Sequence, residues 1–97
     1  MSMHFQITDK DREQTLATTL ESLEPLKLKI LPRKEKRKYI LLIEIAKQFT
    51  AGQSYTEKEV NQILKGIYPD FATIRRYLVD YKFLERTDNG SLYKLKG

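Results

Sequence analysis

The chain concentrates basic side chains in one short segment, at the start of LPRKEKRKYILLIEIA (residues 31–46). The bases in this segment are Arg33, Lys34, Lys36, Arg37 and Lys38. Ammonium and guanidinium groups at this density can hold the phosphates of a nucleic acid. A nearly unbroken apolar run follows, which predicts a helix whose first turn is basic. Cations at a helix start oppose the helix dipole, at about a few tenths of a kcal/mol each, so they need a compensating partner.

Two partners could compensate this basic segment. The phosphates of DNA could bind at the helix start. The alternative is internal, because residues 1–24 hold two bases and five acids, whereas the rest of the chain holds sixteen bases and eight acids. A helix from this acidic arm that packs against the basic segment would bring carboxylates to it. The candidate acids are Asp9, Asp11, Glu13, Glu21 and Glu24.

The sequence offers little for catalysis or metal binding. It contains no cysteine, and its single histidine is His4. It also lacks a G-x-S-x-G nucleophile elbow, a glycine-rich phosphate loop and acidic pairs at ligand spacing. We therefore predict a protein that is not an enzyme, with no catalytic residues, no metal and no cofactor.

Length and composition indicate one globular domain with an N-terminal arm. The 97 residues are 40% hydrophobic and 32% charged, with a formal net charge of +5. No apolar stretch approaches the roughly 18 residues of a membrane span, and no apolar segment of a secretory signal follows Lys10 and Arg12. We therefore expect a soluble, cytoplasmic protein that does not contact membranes.

Residues 1–30 are predicted to form the arm, with one amphipathic helix. A threonine N-cap followed by acids begins this helix at Thr8, Asp9 and Asp11. Leucines at helical spacing then predict about four turns ended by Pro25. These leucines are Leu16, Leu20 and Leu23. The alternating segment 26–31 predicts a short extended piece.

The second helix is predicted to begin near Pro32 and to end near Phe49. One apolar face carries Tyr39, Leu42, Ile43, Ala46 and Phe49. Ile40 and Leu41 lie off that face, so this helix is apolar nearly all round. Such a helix is covered on more than one side, and we expect the arm helix to provide one cover.

Two shorter helices and a hairpin follow. TEKE (residues 56–59) is a capping box, and the turn at Tyr68-Pro69 leads to a helix capped by Asp70. Their apolar stripes are Val60, Ile63, Leu64 and Ile67, then Phe71, Ile74, Leu78 and Tyr81. Asp88-Asn89-Gly90 between two short runs predicts a β-hairpin. We therefore predict a mainly α fold with a small β-hairpin, a winged helix-turn-helix over residues 31–97 plus the extra N-terminal helix.

In a winged helix-turn-helix, the helix after Asp70 would be the recognition helix and the hairpin the wing. The outward residues Thr73 and Arg76 of the recognition helix are predicted to contact DNA bases. Arginine can bind guanine, and threonine can contact the methyl group of thymine. The alternative for Arg76 is a solvated i, i+4 pair with Asp80. Arg75 lies nearer the core and is predicted to be structural. The wing carries the basic residues Arg86 and Lys94 but has no basic residue at its tip.

Several segments also carry a family resemblance: LPRKEKRK, YTEKEVNQIL, YPDFATIRRYLVDY, LER and DNGSLY. Over about residues 31–94 the chain resembles a bacterial family, domain-of-unknown-function family 2087. The resemblance implies a winged-helix domain near transcriptional control, because some members are fused to ArsR-type regulators or acetyltransferases. It implies no established binding residues. Lys82 departs from the family, whose members tend to have glycine there.

These patterns predict a DNA-binding winged-helix domain that takes double-stranded DNA as its partner, and the family resemblance implies that it is of the transcriptional-regulator type. The alternative is a protein–protein interaction module on the same scaffold, which binds a second copy of the chain or another protein and does not bind DNA.

Overall fold

The computed structural model describes residues 6–96, and the single histidine, His4, lies outside them. Within these residues the fold is mixed α/β, with four helices and two small antiparallel sheets. The elements are α1 (Asp9–Thr19), β1 (Leu20–Ser22), β2 (Lys27–Leu28), α2 (Glu35–Ala46), β3 (Tyr55–Thr56), α3 (Glu57–Lys65), α4 (Phe71–Asp80), β4 (Leu84–Arg86) and β5 (Leu92–Leu95). None of the helices between residues 6 and 96 has the length and apolar character to cross a membrane.

Helix α1 begins where the sequence predicts and ends earlier. The Thr8 hydroxyl accepts the Asp11 backbone N–H at 3.0 Å, and the Asp11 carboxylate accepts that of Thr8 at 3.1 Å. The predicted leucine stripe is confirmed at Leu16, which packs against the core, and is wrong at Leu20 and Leu23, because the helix ends at Thr19 and the next residues pair with β2. Leu23 lies in the turn between these strands and is 54% exposed. The buried residues of α1 are instead Thr15 and Thr19.

Helix α2 begins later than predicted, at Glu35. Arg33 and Lys34 precede the helix, and the Glu35 carboxylate in its first turn suits the dipole. The two-sided cover is confirmed, because Ile40, Leu41, Leu42 and Ile45 are all nearly fully buried. The predicted apolar face is rotated in the structure, since Tyr39 and Ile43 are only partly buried. Helix α1 packs along one side of α2.

Helices α3 and α4 begin at the predicted caps. Thr56 and Glu59 form the reciprocal capping box, and the Asp70 carboxylate accepts the Thr73 backbone N–H. Five residues, 66–70, separate the two helices, which pack against each other. Their inner faces are buried in one core at Val60, Leu64, Ile74 and Leu78.

The second sheet has the strand order β3-β5-β4 and is antiparallel throughout. The predicted hairpin forms its larger part, with Gly90 at φ +71° in the turn. Leu84 and Tyr93 close the core from the sheet side. The same core contains Leu26 and Leu28, so it extends into the segment that the sequence assigned to the arm.

Lys82 follows the C-terminal end of α4 and adopts a left-handed conformation, with φ +68°. A side chain is strained there by about 1 kcal/mol, whereas glycine is not. We expect Lys82→Gly to raise the free energy of unfolding by about 0.5–1 kcal/mol in urea denaturation. Lys82→Ala loses the same charge but keeps the β-carbon, so it should give no such gain. Equal stabilities of the two variants would contradict this explanation.

Candidate nucleic-acid interface

The outward face of α4 carries Arg76, which has no acidic partner among residues 6–96. Ala72, Arg76 and Asp80 follow each other at i, i+4 spacing, and all three are exposed. No ion pair joins Arg76 to Asp80 or to any other carboxylate between residues 6 and 96. The guanidinium of Arg76 is therefore available to an external acceptor.

Thr73, the second predicted base contact, is engaged in the cap of its own helix. Its hydroxyl donates to Asp70 Oδ2 at 2.8 Å, and its backbone N–H donates to Oδ1 at 3.4 Å. The hydroxyl proton is therefore committed to Asp70, and the methyl group is the part of Thr73 that suits an external contact.

Arg75 fastens α4 to α3, as the sequence predicts for a structural arginine. It is partly buried, donates to the side-chain oxygen of Asn61, and places Nη2 3.4 Å from Glu57 Oε1. The hydroxyl of Tyr93 donates to the same carboxylate oxygen at 3.4 Å. Glu57 thus forms an ion pair with Arg75 of α4 and a hydrogen bond with Tyr93 of β5.

The hairpin brings one of its two predicted bases to α4. Arg86 is opposite Tyr93 in the sheet register, so both face the helices. Arg86 also lines a polar hollow together with Arg76 and Asp80. Lys94 lies on the other sheet face, where its Nζ is 3.6 Å from Glu85 Oε1. The structure therefore places Arg86 on the same hollow as Arg76 and places Lys94 on the other face of the sheet.

Lys38 joins the start of α2 to the C-terminal half of α4. Its Nζ lies 4.4 Å from the ring centroid of Tyr77, in cation–π geometry. The Tyr81 hydroxyl nearby donates to Glu35 Oε2. Burial, together with this hydrogen bond, raises the pKa of Tyr81, so its hydroxyl keeps its proton at neutral pH. The predicted phosphate contact Lys38 is thus already engaged with an aromatic ring.

The remaining bases of the segment border α1. Lys34, Lys36 and Arg37 line a hollow together with Asp11. Lys36 Nζ lies 2.7 Å from Asp11 Oδ2, and this hydrogen bond is the main cause that lowers the pKa of Asp11 from 3.8 to about 2. Between residues 6 and 96, Asp11 is the one arm acid that forms an ion pair with this segment. The predicted internal compensation by the arm is therefore partial among the described residues, because its acids pair with Lys36 and with no other base of the segment. Compensation by DNA phosphates stays a prediction.

Arg33, Lys34 and Arg37 remain exposed at the surface. No ion pair within the described part of the chain involves any of them. Together with Arg76 and Arg86 they supply five cations without an acidic partner there. We call these five the unpaired cations.

Sequence reasoning missed the polar junction between α1 and α2. Glu44 is 7% exposed, and its Oε2 lies 3.2 Å from Arg12 Nη2 and 3.0 Å from Lys47 Nζ. The signal was present, because Glu44 is the one charged residue inside the apolar run 39–46. A buried carboxylate requires partners of this kind.

Comparisons with known proteins identify the family of the chain and nothing further. No curated protein and no solved structure matches the chain. Residues 27–95 match the family described as uncharacterized protein conserved in bacteria (DUF2087). The match begins slightly before the predicted residue 31 and includes β2, all of α2 to α4 and both strands of the hairpin. The chain therefore belongs to this bacterial family.

Proposed function

We propose that residues 31–97 form a winged helix-turn-helix that binds double-stranded DNA in bacterial transcriptional regulation. The element order α2, β3, α3, α4, β4, β5 supports this reading, and so does the strand order β3-β5-β4. In such a domain α4 is the recognition helix and the β4–β5 hairpin is the wing.

The observation that carries the proposal is that Arg76 and Arg86 line the same hollow. They come from different elements, α4 and the hairpin, and neither forms an ion pair within residues 6–96. Two guanidinium groups beside an exposed helix face suit a DNA groove, since each can bind a phosphate or a guanine edge through two hydrogen bonds. Arg33, Lys34 and Arg37 would hold phosphates on the side of α2.

The geometry refines the roles of the other predicted contacts. Thr73 would contact a thymine through its methyl group. Lys38 would orient α4 through Tyr77 and contribute its charge at longer range. Lys94 faces away from α4, so we assign it no contact with DNA in this proposal.

A salt titration tests the proposal. We expect the protein to bind random duplex DNA, with log K falling against log[salt] at a slope of about −3 to −5 from the unpaired cations. Arg86→Gln should flatten this slope by about one. Lys94→Gln removes the same charge from the opposite sheet face and should leave the slope nearly unchanged. Absence of binding at about 50 mM salt, or equal effects of the two variants, would contradict the proposal.

A second candidate function is a protein-interaction module on the same scaffold. Exposed acids flank α4 at Asp70 and Asp80, and Asp88 lies at the tip of the hairpin, where they would repel phosphates. Leu92 is also exposed on the outer sheet face. Light scattering distinguishes this candidate, because we then expect dimers, or complexes with a protein partner, together with no affinity for duplex DNA.

A further inference from the structure

The acidic start of α1 and the basic start of α2 meet at one ion pair. Asp11 Oδ2 lies 2.7 Å from Lys36 Nζ. The same carboxylate accepts the Thr8 backbone N–H, so the helix cap holds it in position. Its pKa of about 2 keeps it charged throughout the neutral range. The Lys36 ammonium group therefore lies beside a fixed negative charge, while 40% of its side chain stays exposed to solvent.

Helix α1 lies outside the residues that match the family, which begin at residue 27. Its buried residues are threonines, Thr15 and Thr19. Its contacts with α2 include two ion pairs, from Asp11 to Lys36 and from Arg12 to Glu44. Ion pairs and hydrogen bonds thus act together with the partly buried Leu16, which packs against the core, to hold this helix on the family region.

We propose that α1 is an internal competitor of DNA phosphate at Lys36. The inference rests on the proposed DNA-binding function and adds a regulation of the same surface. A carboxylate oxygen and a phosphate oxygen bind the same kind of ammonium donor, and Asp11 Oδ2 already takes one N–H of Lys36 at hydrogen-bond distance and offsets its charge. The neighbouring Lys34 and Arg37 have no such partner within residues 6–96 and stay available to phosphate. Helix α1 therefore lowers the affinity by withholding one cation.

Two variants that change the net charge equally test this competition. Asp11→Asn removes the charge and keeps an oxygen for the Thr8 N–H. Glu13→Gln removes the charge of an exposed acid on the same helix that forms no ion pair within residues 6–96. At about 0.1 M salt we expect Asp11→Asn to bind random duplex DNA roughly five- to tenfold more tightly than the wild type, with a slope steeper by about one. Glu13→Gln should change the affinity by less than about twofold.

A third variant separates competition from a general loosening of α1. In the Asp11→Asn background, Lys36→Gln should abolish the gain in affinity, because the released cation is then absent. A gain that persists without Lys36 would overturn the inference.

The outcomes distinguish the inference from the proposed function. If the wild type binds duplex DNA and Asp11→Asn binds no more tightly than Glu13→Gln, the inference fails and DNA binding stands. If neither the wild type nor Asp11→Asn binds at about 50 mM salt, both fail.

Discussion

Replacing Arg33 and Arg37 together by glutamate is expected to lower the affinity for random duplex DNA by roughly 100-fold at about 0.1 M salt. Each arginine is exposed and forms no ion pair within residues 6–96, so each is free to release one counterion from DNA. Loss of one contact costs about eightfold at this salt concentration, and the introduced carboxylates add repulsion. The slope of log K against log[salt] should flatten by about two.

The matched control for this double reversal is Lys10→Glu with Lys29→Glu. Both lysines are exposed, lie outside the proposed surface, and form no ion pair in the described part of the chain. The net charge changes by the same amount in the two double variants. Similar losses of affinity would show that net charge alone attracts DNA, and would remove the start of α2 from the proposed interface.

Truncation of Ile74 to alanine is expected to lower the free energy of unfolding by about 2–4 kcal/mol. Ile74 lies in the middle of α4, is 0% exposed, and belongs to the core with Leu64 and Leu78. The loss combines the transfer of buried methyl groups to water with the cavity left behind. This is a large part of the stability of a domain of this size, which is typically about 5–15 kcal/mol.

Urea denaturation of Ile74→Ala measures this loss, and Ile30→Ala is its control. Ile30 is 50% exposed, so the same chemical change should cost no more than about 0.5 kcal/mol. A difference of less than about 1 kcal/mol between the two variants would contradict the burial of α4 through this face. DNA affinity of the folded Ile74→Ala protein should stay within a few-fold of the wild type, because Arg76 lies on the opposite face.

Local signals predicted most of the family region. The caps at Thr56 and Asp70 depend on atoms three residues apart, so the sequence contains all that determines them. The hairpin at Asp88-Asn89-Gly90 is equally local, because its turn requires a positive φ that glycine adopts. Lys82, where the resemblance led us to expect glycine, adopts the left-handed conformation that glycine favours.

Long-range partners explain what the sequence could not reveal. Helix α1 ends at Thr19 because the following backbone pairs with β2, an alternative that helical spacing of leucines does not exclude. The packing of α1 on α2 depends on threonines and on the buried Glu44, which no apolar period marks. Sheet register places Arg86 on the same hollow as Arg76, and the position of Tyr77 explains the cation–π contact of Lys38. The basic residues of the sequence predict a basic surface. Only the folded structure shows which of these cations have an acidic or aromatic partner among residues 6–96.

The short N-terminal sheet keeps α1 close to α2 even when the Asp11–Lys36 ion pair opens. The Thr19 carbonyl accepts the backbone N–H of Lys29 at 2.9 Å, which anchors the end of α1 beside β2. A group tethered in this way re-forms its contact intramolecularly, at an effective concentration on the order of millimolar for a short connection. A dilute free carboxylate in solution cannot match that concentration at Lys36. In the proposed function a DNA duplex would match it, because its phosphates would reach several cations at once and gain the same advantage through multivalency.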